Sequence, residues 1–234
     1  GDLTMKYIRK AEDRGVANFG WLESKHSFSF GNYYDAKHMG ISALRVINDD
    51  MVMPGQGFGK HGHQDMEIIS YVIEGALKHD DSTGNSYVVP AGDVQRMSAG
   101  RGVMHSEFNA SDTEKVKFLQ IWIQPNVKGI EPSYEQKSLP QKGAMTTLVS
   151  PKGDDGSLSI NQDASMSRLV LEKGEDIDLQ TANRIGYLHI VKGQLIAENK
   201  SFQQGDAFAV GPDYSINVKA DEPLEALWFD LPNA

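Results

Sequence analysis

The chain reads as all-β, built from two antiparallel β-barrel or jelly-roll domains in tandem. Short β-branched and aromatic runs are separated by turn residues at hairpin spacing, long amphipathic helices are not evident, and a weak internal repeat divides the chain.

The runs fall at residues 42–48, 67–73, 87–89, 116–123, 187–191 and 224–229. They are rich in the side chains that pack well on a pleated, half-buried surface. Asp-Ser-Thr-Gly at 81–84, Pro-Ala-Gly-Asp at 90–93 and Gln-Gly-Asp at 204–206 supply turns between them. YVIEG at 71–75 followed by PAGD at 90–93 is echoed by HIVKG at 189–193 followed by QQGD at 203–206. In each copy an apolar strand ends at a glycine turn, a polar hairpin follows, and a second glycine turn re-enters the sheet, so each copy is expected to form one barrel. Residues 124–145 hold three prolines, two glycines and little periodicity, which marks a linker and predicts domains over 1–135 and 146–234.

A hydrophobic fraction of 39%, a charged fraction of 24%, 23 glycines and nine prolines describe a globular chain with many turns. There is no cysteine, so disulfides, thiolate metal sites and thiol catalysis are excluded, and chemistry falls to His, carboxylates, hydroxyls or a cofactor. The net charge of −9 argues against direct nucleic-acid binding, and any link to transcription would run through protein partners. No apolar run approaches the roughly 20 residues needed to cross a bilayer, and the start lacks a secretory pattern. A cytoplasmic monomer that does not touch membranes is expected. Met5 precedes a strand-like Lys-Tyr-Ile, which makes residues 1–4 a candidate remnant ahead of the natural start.

GQGFGKHGHQDME places His61 and His63 two residues apart in a strand-prone stretch, and a strand sends alternate side chains to one face. On a helix the same spacing would splay them by about 200°. RGVMHSEFN repeats the device with His105 and Glu107. A lone His-x-His pair also arises on solvated strands; two such pairs at matched spacing, in a chain of seven histidines, point to a metal centre. Three imidazoles and one carboxylate suit a single divalent ion such as Fe(II), Mn(II), Ni(II) or Zn(II), with Co and Cu as further alternatives. The remaining histidines take plainer roles: His79 in a charged turn is expected to be solvated, His26 and His38 to be hydrogen-bonded structural groups, and His189 to lack a metal-binding partner.

GQGFGKHGHQDME, followed by a strand and Gly75, resembles the first cupin motif. GRGVMHSEFN resembles the second, with Gly100 where proline is usual and with Glu107 added. Together with HSFSFGNYYD at 26–35, DMEIISYVIEG at 65–75 and PAGDVQRMSAGRGVMHSE at 90–107, these motifs are similar to the pirin family over the first 135 residues. The resemblance implies a bicupin whose amino-terminal domain binds iron through His61, His63, His105 and Glu107, with a metal-free carboxyl-terminal domain. Glu67 occupies the usual cupin carboxylate position, but Glu107 shares strand parity with His105, so Glu67 is expected beside the cavity as a supporting group.

The resemblance further implies two functions. One is quercetin 2,3-dioxygenase activity, in which a phenolic substrate and O₂ meet at the metal, Glu107 either remains a ligand or loosens to accept the hydroxyl proton, and the heterocyclic ring opens with release of carbon monoxide. The alternative is a non-enzymatic, iron-dependent regulator acting through protein partners. Fold alone does not choose between them.

Overall fold

A computed structural model describes residues 5–233, the side chain of Lys6 excepted; the candidate remnant at 1–4 lies outside the described residues. Strands dominate, and the described helices are the single 3-10 turns Ala11–Asp13 and Asp154–Gly156. The chain divides into two units, one of Gly15–Pro140 with Leu158–Gln162, the other of the described residues up to Arg14 with Gln141–Ser157 and the chain from Asp163 onward.

In the first unit a large antiparallel sheet runs in the order Ser133–Ser138, Asp93–Ser98, Glu67–Glu74, Val116–Ile123, Leu44–Val52, Leu22–His26, Gly15–Asn18. A small sheet runs Gly57–His63, Val103–Asn109, Ala76–Asp81, Ser86–Pro90. Both sheets keep free edges, so the unit is a jelly roll of two sheets rather than the closed barrel that was the other expectation. The expected linker at 124–145 contains Ser133–Ser138, whose hydrophilic SYEQKS pairs with Asp93–Ser98 at the sheet edge. An edge strand needs little apolar alternation, so it left no period in the sequence.

The second unit repeats the plan. Its large sheet carries Met5–Arg9, Ala207–Val210, Ile185–Lys192, Leu224–Leu231, Ser165–Leu171 and Met145–Ser150 in order, and its small sheet Asp176–Gln180, Ser215–Ala220, Gln194–Ala197 and Lys200–Gln203. The strand at 5–9 pairs with Ala207–Val210, so the start of the described chain completes this unit. The internal repeat is visible where Glu67–Glu74 and Ile185–Lys192 each end on a glycine with positive φ, +79° at Gly75 and +89° at Gly193. A Cβ on either would strike a backbone carbonyl, Lys115 O or Pro223 O.

The two interiors differ. The second unit has one continuous core, in which Leu188, Ile190, Leu195, Phe202, Phe208, Ile216, Val218 and Ala226 interlock. In the first, one apolar cluster gathers around Val52, Val72, Val116 and Phe118 and another around Ile68, Met97, Ala99 and Val103. Between them a polar row crosses the inner face of the large sheet: in register, His26 opposes Asn48, Asn48 opposes Gln120, Gln120 opposes Ser70, Ser70 opposes Gln95, and Gln95 opposes Gln136. Such a row replaces apolar burial worth about 25 cal/mol per Å², so the first unit gives up core stability along it.

Candidate metal centre and its cavity

Gly57–His63 and Val103–Asn109 are neighbours in the small sheet, and their register sets His61 directly opposite His105. Strand alternation then puts His63 and Glu107 on the same face. The ring centroids lie 4.4 Å apart for His61 and His105, 4.8 Å for His61 and His63, and 4.7 Å for His63 and His105. One nitrogen from each of the three rings falls within 4.8 Å of the other two. His61 and His105 face each other through their Nε2 atoms at 2.9 Å, and Glu107 Oε1 stands 3.9 Å from His105 Nε2. The imidazoles thus form the compact group, and Glu107 joins it beside His105.

The donor chemistry fits a cation. The Nδ1 of His61 lies 2.7 Å from Gly59 O, so Nδ1–H donates there and Nε2 turns a lone pair toward His105. Two imidazole nitrogens on adjacent octahedral positions, each about 2.1 Å from an ion, sit roughly 3.0 Å apart. Burial, then the neighbouring His61, holds His63 down to about 4. Burial, then His61, His63 and His79, holds His105 down to about 3. Both rings are therefore neutral at pH 7, with nitrogen lone pairs available to a cation. Burial pushes the Glu107 carboxyl up to about 7 against hydrogen bonds from the polar row. Its Oε2 accepts from Ser70 Oγ at 3.3 Å and its Oε1 from Gln120 Nε2 at 3.2 Å. Gln95 Nε2 donates to Ser70 Oγ at 3.3 Å and Trp122 Nε1 to Gln120 Oε1 at 3.0 Å, so both orienting groups are themselves held.

His61 and His63 open onto a cavity of about 580 Å³, within the range of small-molecule sites. Phe19, Phe30, Tyr33, Phe58 and Trp122 give it aromatic walls, while Ser24, His26, Asn48, Asp50 and Gln120 give it a polar one.

Profile matches and relatives agree with this architecture. The Pirin family profile matches residues 8–123, and the Quercetinase C-terminal cupin domain profile matches residues 147–231. A protein of Escherichia coli (strain K12) named quercetin 2,3-dioxygenase is 48% identical over 97% of this chain and 99% of its own. The chain belongs to the pirin family. Among solved pirin structures, the crystal structure of YhhW from Escherichia coli superposes with a TM-score of 0.95 at 47% identity, covering 97% of this chain and 98% of that one. The same bacterial pirin in complex with nickel(II) gives 0.94, with 97% and 99% covered.

Within the pirin frame, the sequence departures acquire reasons. Gly100, where cupins usually carry proline, has a φ of +54°, and a Cβ there would stand 2.1 Å from Ile130 O. Proline, locked near −65°, cannot take that conformation. Glu67 is a correction: it is buried but faces the side of the sheet opposite the cavity, because Ser70 and Ile68 occupy the inward parity. Its Oε1 accepts from Ser98 Oγ at 2.9 Å and from the backbone and side-chain nitrogens of Asn161 at 2.8 and 3.0 Å.

His79 is a second correction. It is fully buried, not solvated: in KHDD the odd residues point inward, opposite Glu107 and His105, while Lys78 points outward. Its Nε2 lies 2.7 Å from Asp81 Oδ2, and its ring packs 5.4 Å from His105 and 4.7 Å from Tyr134. Burial would raise the Asp81 carboxyl, but hydrogen bonds from Thr83, His79 and Asn85 hold it down to about 2. His26 is a hydrogen-bonded group as expected, its Nδ1 2.7 Å from Asn48 Oδ1, and it also lines the cavity. Ser24, Asn48 and Asp50 were missed. Their signal lay in LRVINDDMV, where Asn48 and Asp50 interrupt the inward series between Val46 and Val52.

Proposed function

We propose that the chain is a metal-dependent dioxygenase that opens the heterocyclic ring of flavonols, with His61, His63, His105 and Glu107 as ligands of one divalent ion, iron(II) by preference. The observation that carries it is the convergence of three imidazoles and a carboxyl group at the head of an aromatic-walled cavity of about 580 Å³. The names of the curated relatives support the substrate class, and the nickel complex of the bacterial pirin supports the metal.

The ion, when bound, would supply positive charge that stabilises the ionised flavonol and holds O₂ beside it. Everything else falls to the chain. Trp122, 5.2 Å from His63 with its ring edge-on, and Phe30, 5.4 Å from Trp122, offer faces against which a flat substrate packs. Ser70 and Gln120 hold the Glu107 carboxyl while leaving each oxygen a further acceptor site. Deprotonated once the ion is bound, that carboxyl can accept the proton of the flavonol hydroxyl. The apolar walls exclude bulk water from the reacting end of the cavity.

The test is anaerobic loading with Fe(II), metal analysis, and then O₂ uptake on adding quercetin. One O₂ consumed and one carbon monoxide released per flavonol supports the reading. Iron-loaded protein that consumes no O₂ with quercetin refutes it.

A further inference from the structure

The cavity has a second polar end that the metal centre does not use. Along its aromatic wall the rings follow one another from His63 to Trp122, then Phe30, then His26, whose centroid is 5.4 Å from that of Phe30. His26 also stacks on Tyr33 at 6.2 Å. In the large sheet it stands two strands from Gln120, the partner of Glu107, which is about 10 Å at the usual strand spacing and comparable to the length of a three-ring flavonol.

The groups at this end are acceptors. With the Nδ1–H of His26 donated to Asn48 Oδ1, its Nε2 carries a lone pair, and burial keeps the ring neutral. Asp50, 3% exposed, accepts from Ser24 Oγ through Oδ1, which leaves Oδ2 for another donor. Ser24 Oγ also lies 3.5 Å from His26 Nδ1, so the two acceptors belong to one cluster. Burial pushes the Asp50 carboxyl up to about 7 against the hydrogen bond from Ser24, so a donor meeting Oδ2 is what favours its charged, accepting form. A purely apolar ligand would leave both acceptors desolvated and unpaired.

We propose that His26 and Asp50, oriented by Asn48 and Ser24, form a subsite that accepts hydrogen bonds from hydroxyl groups on the part of a planar polyphenol remote from the metal. This rests on the flavonol reading above and adds to it that the site selects polyhydroxylated substrates. A hydroxyl lost from the ligand leaves a buried acceptor unpaired, and sites of that kind discriminate by a factor of about ten or more for each hydrogen bond.

The experiment is anaerobic titration of nickel-loaded protein with quercetin and with 3-hydroxyflavone, which keeps the hydroxyketone but lacks the other hydroxyls. The parent should bind quercetin at least about tenfold more tightly. Asp50→Asn keeps the shape of the carboxylate, and His26→Phe keeps the ring against Phe30 and Tyr33. Each should lower that preference by a factor of about ten while nickel content and affinity for 3-hydroxyflavone stay parental. A parent that binds both ligands equally overturns the inference without any variant. So does a folded, nickel-replete variant that keeps the full preference or loses both ligands alike. A parent that binds neither flavonol removes the substrate reading itself, and the subsite with it.

Discussion

Loading the metal-free protein across a pH series measures what the buried carboxyl of Glu107 contributes to the centre. Burial pushes that carboxyl up to about 7, whereas burial and the adjoining rings hold His63 and His105 down to about 4 and about 3. Between pH 5 and pH 8 these two imidazoles therefore need shed no proton to bind an ion, and Glu107 must. With an ionisation point near 7, roughly one carboxyl in a hundred is charged at pH 5 and about nine in ten at pH 8. Affinity should rise about a hundredfold over that span, equivalent to about 2.7 kcal/mol, with one proton released per ion bound near pH 6. Competition of nickel against a chromophoric chelator of known protonation reads it directly. Glu107→Gln removes the titration while keeping size and one acceptor oxygen, so the difference between parental and variant slopes isolates the carboxylate whatever else titrates. Equal slopes in the two proteins would refute the assignment of Glu107 to the ion.

The same variant should behave oppositely in stability. The folded Glu107 value lies above its ordinary 4.5, so its contribution is fully present below about 4.5 and is lost as pH rises through about 7; metal-free Glu107→Gln should melt later than the parent at pH 8, by roughly 1–3 kcal/mol, and not at pH 5, as differential scanning calorimetry will read. His63→Ala should lose metal by more than about a hundredfold with an unchanged circular dichroism spectrum, because the strand faces rather than the ion hold the unit; an unfolded variant would make the metal structural. Gly100→Ala should cost about 3 kcal/mol or more in urea unfolding, since a Cβ there meets Ile130 O at 2.1 Å in a left-handed backbone; a loss under 1 kcal/mol would show that the loop yields.

The sequence by itself determined the all-β class, the tandem duplication and the residues of the candidate centre. Each of these is a local signal. His61 with His63, and His105 with Glu107, need only the two-residue period of a strand to share a face, and the repeat needs only glycines where strands end. Tertiary structure alone decided what depends on which strands lie side by side. The charged stretch KHDD looks like a turn until its register with Val103–Asn109 turns His79 inward. Glu67 looks like a cavity residue until Ser70 takes the inward parity of the same strand. The polar row from His26 to Gln136 draws its members from six strands spread over more than a hundred residues of chain, so no window of sequence contains it. Cross-strand register is set by the packing of the whole sheet and not by any one segment, which is why the candidate metal ligands were legible in the sequence while the groups that orient Glu107 and line the cavity were not.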